Sequence, residues 1–176
     1  MSVVSAQLDR VSELSARVRV ECAGGGLRRA SRAISRFYEA AFAPLDLTAT
    51  QFSILVAVNL GDGPIPLSRL ADALVLDRTS LYRALKPLVR RRHLRVLPGR
   101  TGRERTAALT ETGHQLLEEA LPIWEQTQGR FIDALGPQRW AALSSGLEHV
   151  VPTLQTLESS PRRAASGPPP RRTPAR

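Results

Sequence analysis

The sequence predicts a mainly α-helical fold carrying one small β-hairpin, and three observations predict it. Between residues 67 and 93 a short apolar-backed helix, a tight turn and a longer helix follow one another closely. Directly afterwards Leu94-Arg95-Val96-Leu97 alternates like a strand, Pro98 to Gly102 forms a turn, and Arg105-Thr106-Ala107-Ala108-Leu109 can pair back as a second strand. On both sides lie helices whose apolar stripes exceed what one copy of this unit could cover. Helix, turn, helix and hairpin make a winged helix-turn-helix, here flanked by N- and C-terminal dimerisation helices.

In chain order, Val4, Leu8, Val11 and Val18 fall near helical spacing, so residues 1–26 read as an N-terminal extension with a short helix that Gly24-Gly25-Gly26 breaks. Residues 27–47 hold the first dimerisation helix. Its stripe is Leu27, Ala30, Ile34, Phe37, Tyr38 and Ala41, with Arg28, Arg29, Arg32 and Arg36 away from it, and Pro44 ends it. Residues 48–113 form the winged helix-turn-helix. Thr48 or Thr50 caps its first helix, whose Phe52, Leu55, Val56 and Val58 face the core. Leu67, Leu70, Ala71 and Leu74 mark the short bracing helix. Asp77 is the N-cap of the next, which is expected to run to about His93 with Leu81, Leu85 and Leu88 inward and to bend, not end, at Pro87.

Residues 114–159 complete the dimerisation helices. Thr110 caps the first of them, with Leu116, Leu117, Leu121 and Trp124 inward and a bend at Pro122. After Gly136-Pro137 comes the last helix. Its Trp140, Leu143, Leu147, Val150, Leu154 and Leu157 are spaced 3, 4, 3, 4 and 3 apart, an a/d seam made to pack on another helix, although Pro152 interrupts the backbone. Residues 160–176, rich in Pro and Arg, are expected to be a disordered tail.

Composition excludes several classes of function. A chain of 176 residues, 42% apolar and 23% charged, can build an ordinary buried core. Its single cysteine, Cys22, forbids an intrachain disulfide, and His93, His114 and His149 show no ligand spacing, so neither a metal nor another cofactor is expected. Cys22 reads as a small residue at a helix start. No apolar run approaches the ~18 residues of a membrane span, and the charged first 20 residues lack a secretory apolar core, so a cytoplasmic protein is expected. No nucleophile motif such as G-x-S-x-G occurs, and no acid–base pair stands out for catalysis.

Charge position is more informative. The chain carries a net +9, and 24 of its 25 basic residues are Arg, with Lys86 the lone lysine. Residues 65–113 hold +7, residues 161–176 hold +5, and the remainder is −3. Concentrated arginine on a compact unit beside acidic surface is the electrostatic footprint of polyanion binding. On the helix that Asp77 caps, the face opposite the leucines reads Thr79, Tyr82, Arg83, Lys86 and Arg90. Such side chains can enter a major groove ~12 Å wide and donate to guanine edges or phosphates. Arg100, Arg103 and Arg105 at the hairpin can reach a neighbouring minor groove. Double-stranded DNA is therefore the expected partner. The alternative is a winged-helix dimer that keeps only protein contacts and reads no DNA sequence.

These residues also resemble the MarR family of bacterial transcription regulators. The resemblance rests on LTATQFSIL at 47–55, LSRLADALVLDRTSLYRALKPLVRR at 67–91 and ALTETG at 108–113, and covers roughly residues 27–158. It implies a winged-helix homodimer in which each copy reads half of a palindrome, most simply as a repressor. Carried over by position, Arg78, Thr79, Ser80, Tyr82 and Arg83 look like the base-reading face. Ser68, Arg69, Lys86 and Arg90 look like phosphate contacts, and Arg103 like the wing-tip arginine. The family often has an aspartate two residues before that arginine, where this chain has Thr101; Glu104 is the nearest substitute. The resemblance also implies a cleft in which Phe37, Tyr38, Phe52 and Trp124 could meet a small aromatic or apolar anion. Ile34, Trp140, Leu143, Leu147, Val150 and Leu154 are its dimerisation positions here.

Overall fold

The computed structural model describes residues 3–99 and 104–160. The wing tip with Arg100 and Arg103, and the Arg-rich tail from residue 161, lie outside the described residues. The helices are α1 (Val3–Glu21), α2 (Ala23–Phe42), α3 (Ala49–Asn59), α4 (Leu67–Ala73), α5 (Arg78–Arg90), α6 (Glu111–Leu135) and α7 (Pro137–Ser159), with a 3₁₀ turn at Ala43–Leu45. The strands are β1 (Ile65–Pro66), β2 (Leu94–Pro98) and β3 (Arg105–Leu109). The chain divides into two compact units, Met1–Gly129 and Arg130–Arg176.

Where each element begins follows from capping chemistry. Thr48 and Gln51 form a reciprocal capping box on α3: Thr48 Oγ1 accepts the Gln51 N–H at 3.2 Å, and Gln51 Oε1 accepts the Thr48 N–H at 3.0 Å. Thr110 starts α6 by accepting the Gly113 N–H at 3.1 Å. Gly24-Gly25-Gly26, read above as a break, lies inside the first turn of α2; the break is Cys22 alone. That cysteine is extended (φ −70°, ψ 104°) and its Sγ accepts the Gly25 N–H at 3.3 Å.

Helix endings were harder to anticipate. The helix α5 stops at Arg90, three residues short of His93. Arg92 takes a left-handed conformation (φ 63°), while the N–H groups of Arg92 and His93 donate back to the carbonyls of Val89 at 3.0 Å and Leu88 at 2.9 Å. This is a Schellman ending with arginine where glycine usually sits. The helix α4 ends the same way at Val75 (φ 51°), whose turn is closed by Val75 N–H to Asp72 at 3.2 Å and Leu76 N–H to Ala71 at 2.9 Å. A β-branched residue is strained in this region, so the turn between α4 and α5 is imposed by the packing on either side. The helices α5, α6 and α7 run through Pro87, Pro122 and Pro152.

The sheet has a third strand besides the expected hairpin. Its order is β1-β3-β2, antiparallel throughout, with Val96 and Ile65 both opposite Ala107. The core of the first unit joins Phe42, Leu47, Ile54 and Leu55 to Leu70, Leu81, Leu85 and Leu88, with Leu94, Ala107, Leu116, Leu117 and Ala120 closing it. The inward face of α6 runs from Gly113 through Leu116, Leu117 and Ala120 to Ile123 and Thr127. Leu121 and Trp124, expected inward, are 42% and 39% exposed, because they flank that buried line and the core does not reach over them. In the second unit the Phe131 and Trp140 rings meet edge to face at 5.8 Å, and no residue of α7 is buried.

Candidate nucleic-acid interface

The helix α5 is fixed at both ends and along its back. At its start, Asp77 Oδ1 accepts the Ser80 N–H at 2.9 Å and Oδ2 accepts the Ser80 hydroxyl at 2.6 Å. These bonds hold the Asp77 carboxyl below its ordinary range, the Ser80 hydroxyl contributing most. Along the back, Leu81, Leu85 and Leu88 are almost fully buried. At its end, Arg91 bonds through Nη1 to the Asp46 carbonyl at 2.8 Å and pairs through Nη2 with the Asp46 carboxylate. Asp46 is itself held left-handed (φ 49°) after the 3₁₀ turn. The Arg91–Asp46 clamp was missed in the sequence, because partners 45 residues apart leave no local pattern.

The front is left free. Arg78, Thr79, Tyr82, Arg83, Lys86 and Arg90 are exposed on α5, as are Ser68 and Arg69 in the first turn of α4 and Arg105 on β3. Arg78 lies over the Tyr82 ring, 5.7 Å from its centroid, a cation–π contact that orders both side chains on the exposed face. Ser80 differs from the other positions predicted to read bases. It is half-buried and its hydroxyl proton is committed to Asp77, so Ser80 builds the cap. A cavity of about 400 Å³ lies between α4, α5 and the wing, with Ser68, Asp72, Arg78, Tyr82, Glu104 and Arg105 on its wall. At the base of the wing the Gly99 N–H donates to the Glu104 carbonyl at 2.7 Å. A Cβ on Gly99 would lie 2.9 Å from the Glu104 Cβ and Cγ, so this close approach requires glycine.

The lowered pKa of Asp77 has a definite sign. A carboxylate held below its unfolded value adds stability that is fully present above that value and is lost as pH falls through the folded pKa. Asn also caps well but does not titrate. The start of α5 in the wild type should therefore lose protection below about pH 4, and Asp77→Asn should flatten that response. Amide hydrogen exchange at Ser80 and Leu81 as a function of pH measures it.

Three of the aromatic residues predicted for a small-molecule cleft, Phe37, Tyr38 and Phe52, belong to one row of rings. Phe37, Tyr38, Phe42 and Phe52 form a continuous ladder with centroid separations of 5.8, 6.3 and 4.7 Å, while Trp124 is 39% exposed. The Tyr38 hydroxyl donates to Gln128 Oε1, and burial pushes its pKa up. Among the described residues no three His, Cys, Asp or Glu side chains converge to hold a metal ion. His93 Nδ1 lies 3.2 Å from the Thr112 carbonyl and His149 Nδ1 2.7 Å from that of Ser145. Among the described residues no single helix is long and apolar enough to cross a membrane.

Of the predicted dimerisation positions, Leu143, Leu147 and Leu154 are exposed by 43%, 43% and 53%. Ile34, Trp140 and Val150 are half-buried.

A capped helix with an apolar back and a cationic front, braced by a short helix and followed by a hairpin, defines a winged helix-turn-helix protein. Solved structures agree. The transcriptional regulator MosR of M. tuberculosis, in complex with DNA, superposes with a TM-score of 0.70 at 30% identity, over 78% of this chain and 98% of that one. AbsC of Streptomyces coelicolor, a MarR family transcriptional regulator, gives 0.67 at 24% identity over 77% and 94%. A mutant MarR of E. coli complexed with operator DNA gives 0.67 at 23% over 76% and 96%. No protein-family model and no curated protein sequence matches the chain. The chain belongs to the MarR family of transcriptional regulators. The solved neighbours are transcriptional regulators, a family that is not enzymatic.

Proposed function

We propose that the chain acts as a homodimer that binds an inverted-repeat operator and represses transcription by occupying it. The observation that carries this reading is the exposed front of α5, where four cations, Arg78, Arg83, Lys86 and Arg90, lie open to solvent opposite three buried leucines. Arg78, Thr79, Tyr82 and Arg83 are the base readers in this proposal. Ser68, Arg69, Lys86 and Arg90 hold phosphates, and Arg100, Arg103 and Arg105 follow the minor groove. The DNA-bound state of the 30%-identical MosR supports the partner. The bare face of α7 supports the second copy, since a 23-residue helix with nothing buried needs cover. Pairing two copies sets the half-site centres about one helical turn, ~10 bp, apart. An effector, an apolar or aromatic anion that uses the region of Phe37, Tyr38, Phe52 and Trp124, would release DNA by favouring a different spacing of the two reading heads.

Two measurements test the reading. With about eight phosphates neutralised, log K falls against log salt with a slope near −7; a flat response contradicts it. Arg83→Ala costs about 1–3 kcal/mol and relaxes base preference; equal weakening on every duplex makes Arg83 a phosphate clamp instead.

A further inference from the structure

The helix α1 lies before the stretch that resembles the MarR family, and it is uncovered. Every residue from 7 to 22 is exposed, among them Leu8 at 64%, Val11 at 56%, Leu14 at 46% and Val18 at 62%. Leu8, Val11, Ser15 and Val18 follow the alternating three- and four-residue steps of a coiled-coil seam, with Leu14 beside it. A helix of 19 residues is marginal in water by itself. Its internal ion pair, Arg17 to Glu21 at 3.0 Å, is exposed on both sides and adds little. The apolar stripe of α1 therefore calls for a partner helix.

Its charge distribution favours one orientation on a second copy of the helix. Residues 7–13 carry Asp9, Arg10 and Glu13, a balance of −1, whereas residues 14–21 carry Arg17, Arg19 and Glu21, a balance of +1. Laid antiparallel on a second α1, the acidic half meets the basic half and the two helix dipoles oppose; laid parallel, like halves meet and the dipoles add. The antiparallel register that sets Leu8 against Val18 and Val11 against Ser15 also brings the two Leu14 side chains together across the twofold axis, widening the apolar contact. A parallel pair would set Leu14 beside Arg19 of the other copy. We propose that α1 is a dimerisation arm that pairs antiparallel with α1 of a second copy of this chain. This rests on the chain acting as a pair of copies, as proposed above.

Cross-linking in a Cys22→Ser background, with a short bis-maleimide, reads the geometry. In the antiparallel register the two residues 14 are offset by about 3 Å along the axis and the two residues 18 by about 15 Å. Leu14→Cys should therefore link into covalent dimers and Val18→Cys should not. Linking through Val18→Cys alone, or through neither, overturns the proposal. In parallel, Leu8→Glu should raise the dimer Kd about tenfold or more by sedimentation, the loss of one well-buried leucine, and unchanged dimerisation overturns it. A wild-type chain that stays monomeric at all concentrations sinks the homodimer reading itself. A wild-type dimer with no cross-link at position 14 sinks only the arm.

Discussion

Gly113→Ala lowers the melting temperature by roughly 10 °C, from a loss of about 3 kcal/mol. A Cβ at this position would sit 2.0 Å from the carbonyl oxygen of His93 and 3.1 Å from a methyl of Leu109. The oxygen belongs to backbone, so no side chain can swing aside. It is also pinned: the Thr110 N–H donates to it at 3.1 Å and the Thr110 hydroxyl lies 3.2 Å away. To admit one methyl group, either α6 must lift off the segment that ends α5 or that segment must withdraw from the wing. The damage falls on the joint that holds α5, β2 and α6 together, so DNA affinity falls as well. Gly129→Ala on the same helix is the control. Nothing lies within 4 Å of its added Cβ, and replacing an interior helical glycine by alanine stabilises by up to about 1 kcal/mol. Opposite signs for one substitution on one helix are the expected outcome of thermal denaturation; equal signs contradict the packing described.

In the homodimer proposed above, Leu147→Glu combined with Leu154→Glu separates the two copies and weakens operator binding by about 10²-fold or more. Both leucines stand on the exposed face of α7, at 43% and 53%, and a charge at either site cannot be desolvated against an apolar partner without a large cost. A dimer binds the second half-site as an intramolecular event, and that advantage disappears when the copies separate. Sedimentation gives the oligomeric state and titration with duplex gives the affinity. The first unit should keep its own fold, since neither residue belongs to its core.

The readable parts of the sequence were those in which one local rule suffices. Asp77, the leucines at 81, 85 and 88 and the polar face between them define α5 by capping and period alone. The hairpin followed from alternation, and the helix α7 from its spacing. What escaped reading depends on partners or conformations that leave no local trace. Arg92 and Val75 occupy left-handed positions where glycine is the usual signal, so the helices end earlier and the turn is tighter than composition indicates. The two-residue β1 is too short for alternation and exists because Ile65 and Pro66 lie beside β3. Arg91 is one of three consecutive arginines, and nothing local in the sequence announces that its guanidinium is tied to Asp46. Trp124 had the right period for the core, but period says which residues share a face, not whether anything covers it.

The central claim is that two cationic α5 helices, held as a pair, read two halves of one duplex site. Selection of bound sequences from a random duplex pool at physiological salt tests it most directly. Enrichment of an inverted repeat with half-site centres about 10 bp apart is expected, abolished when Arg83 and the Leu147–Leu154 face are both altered. Enrichment of nothing, or of a lone half-site with no symmetry, would contradict it.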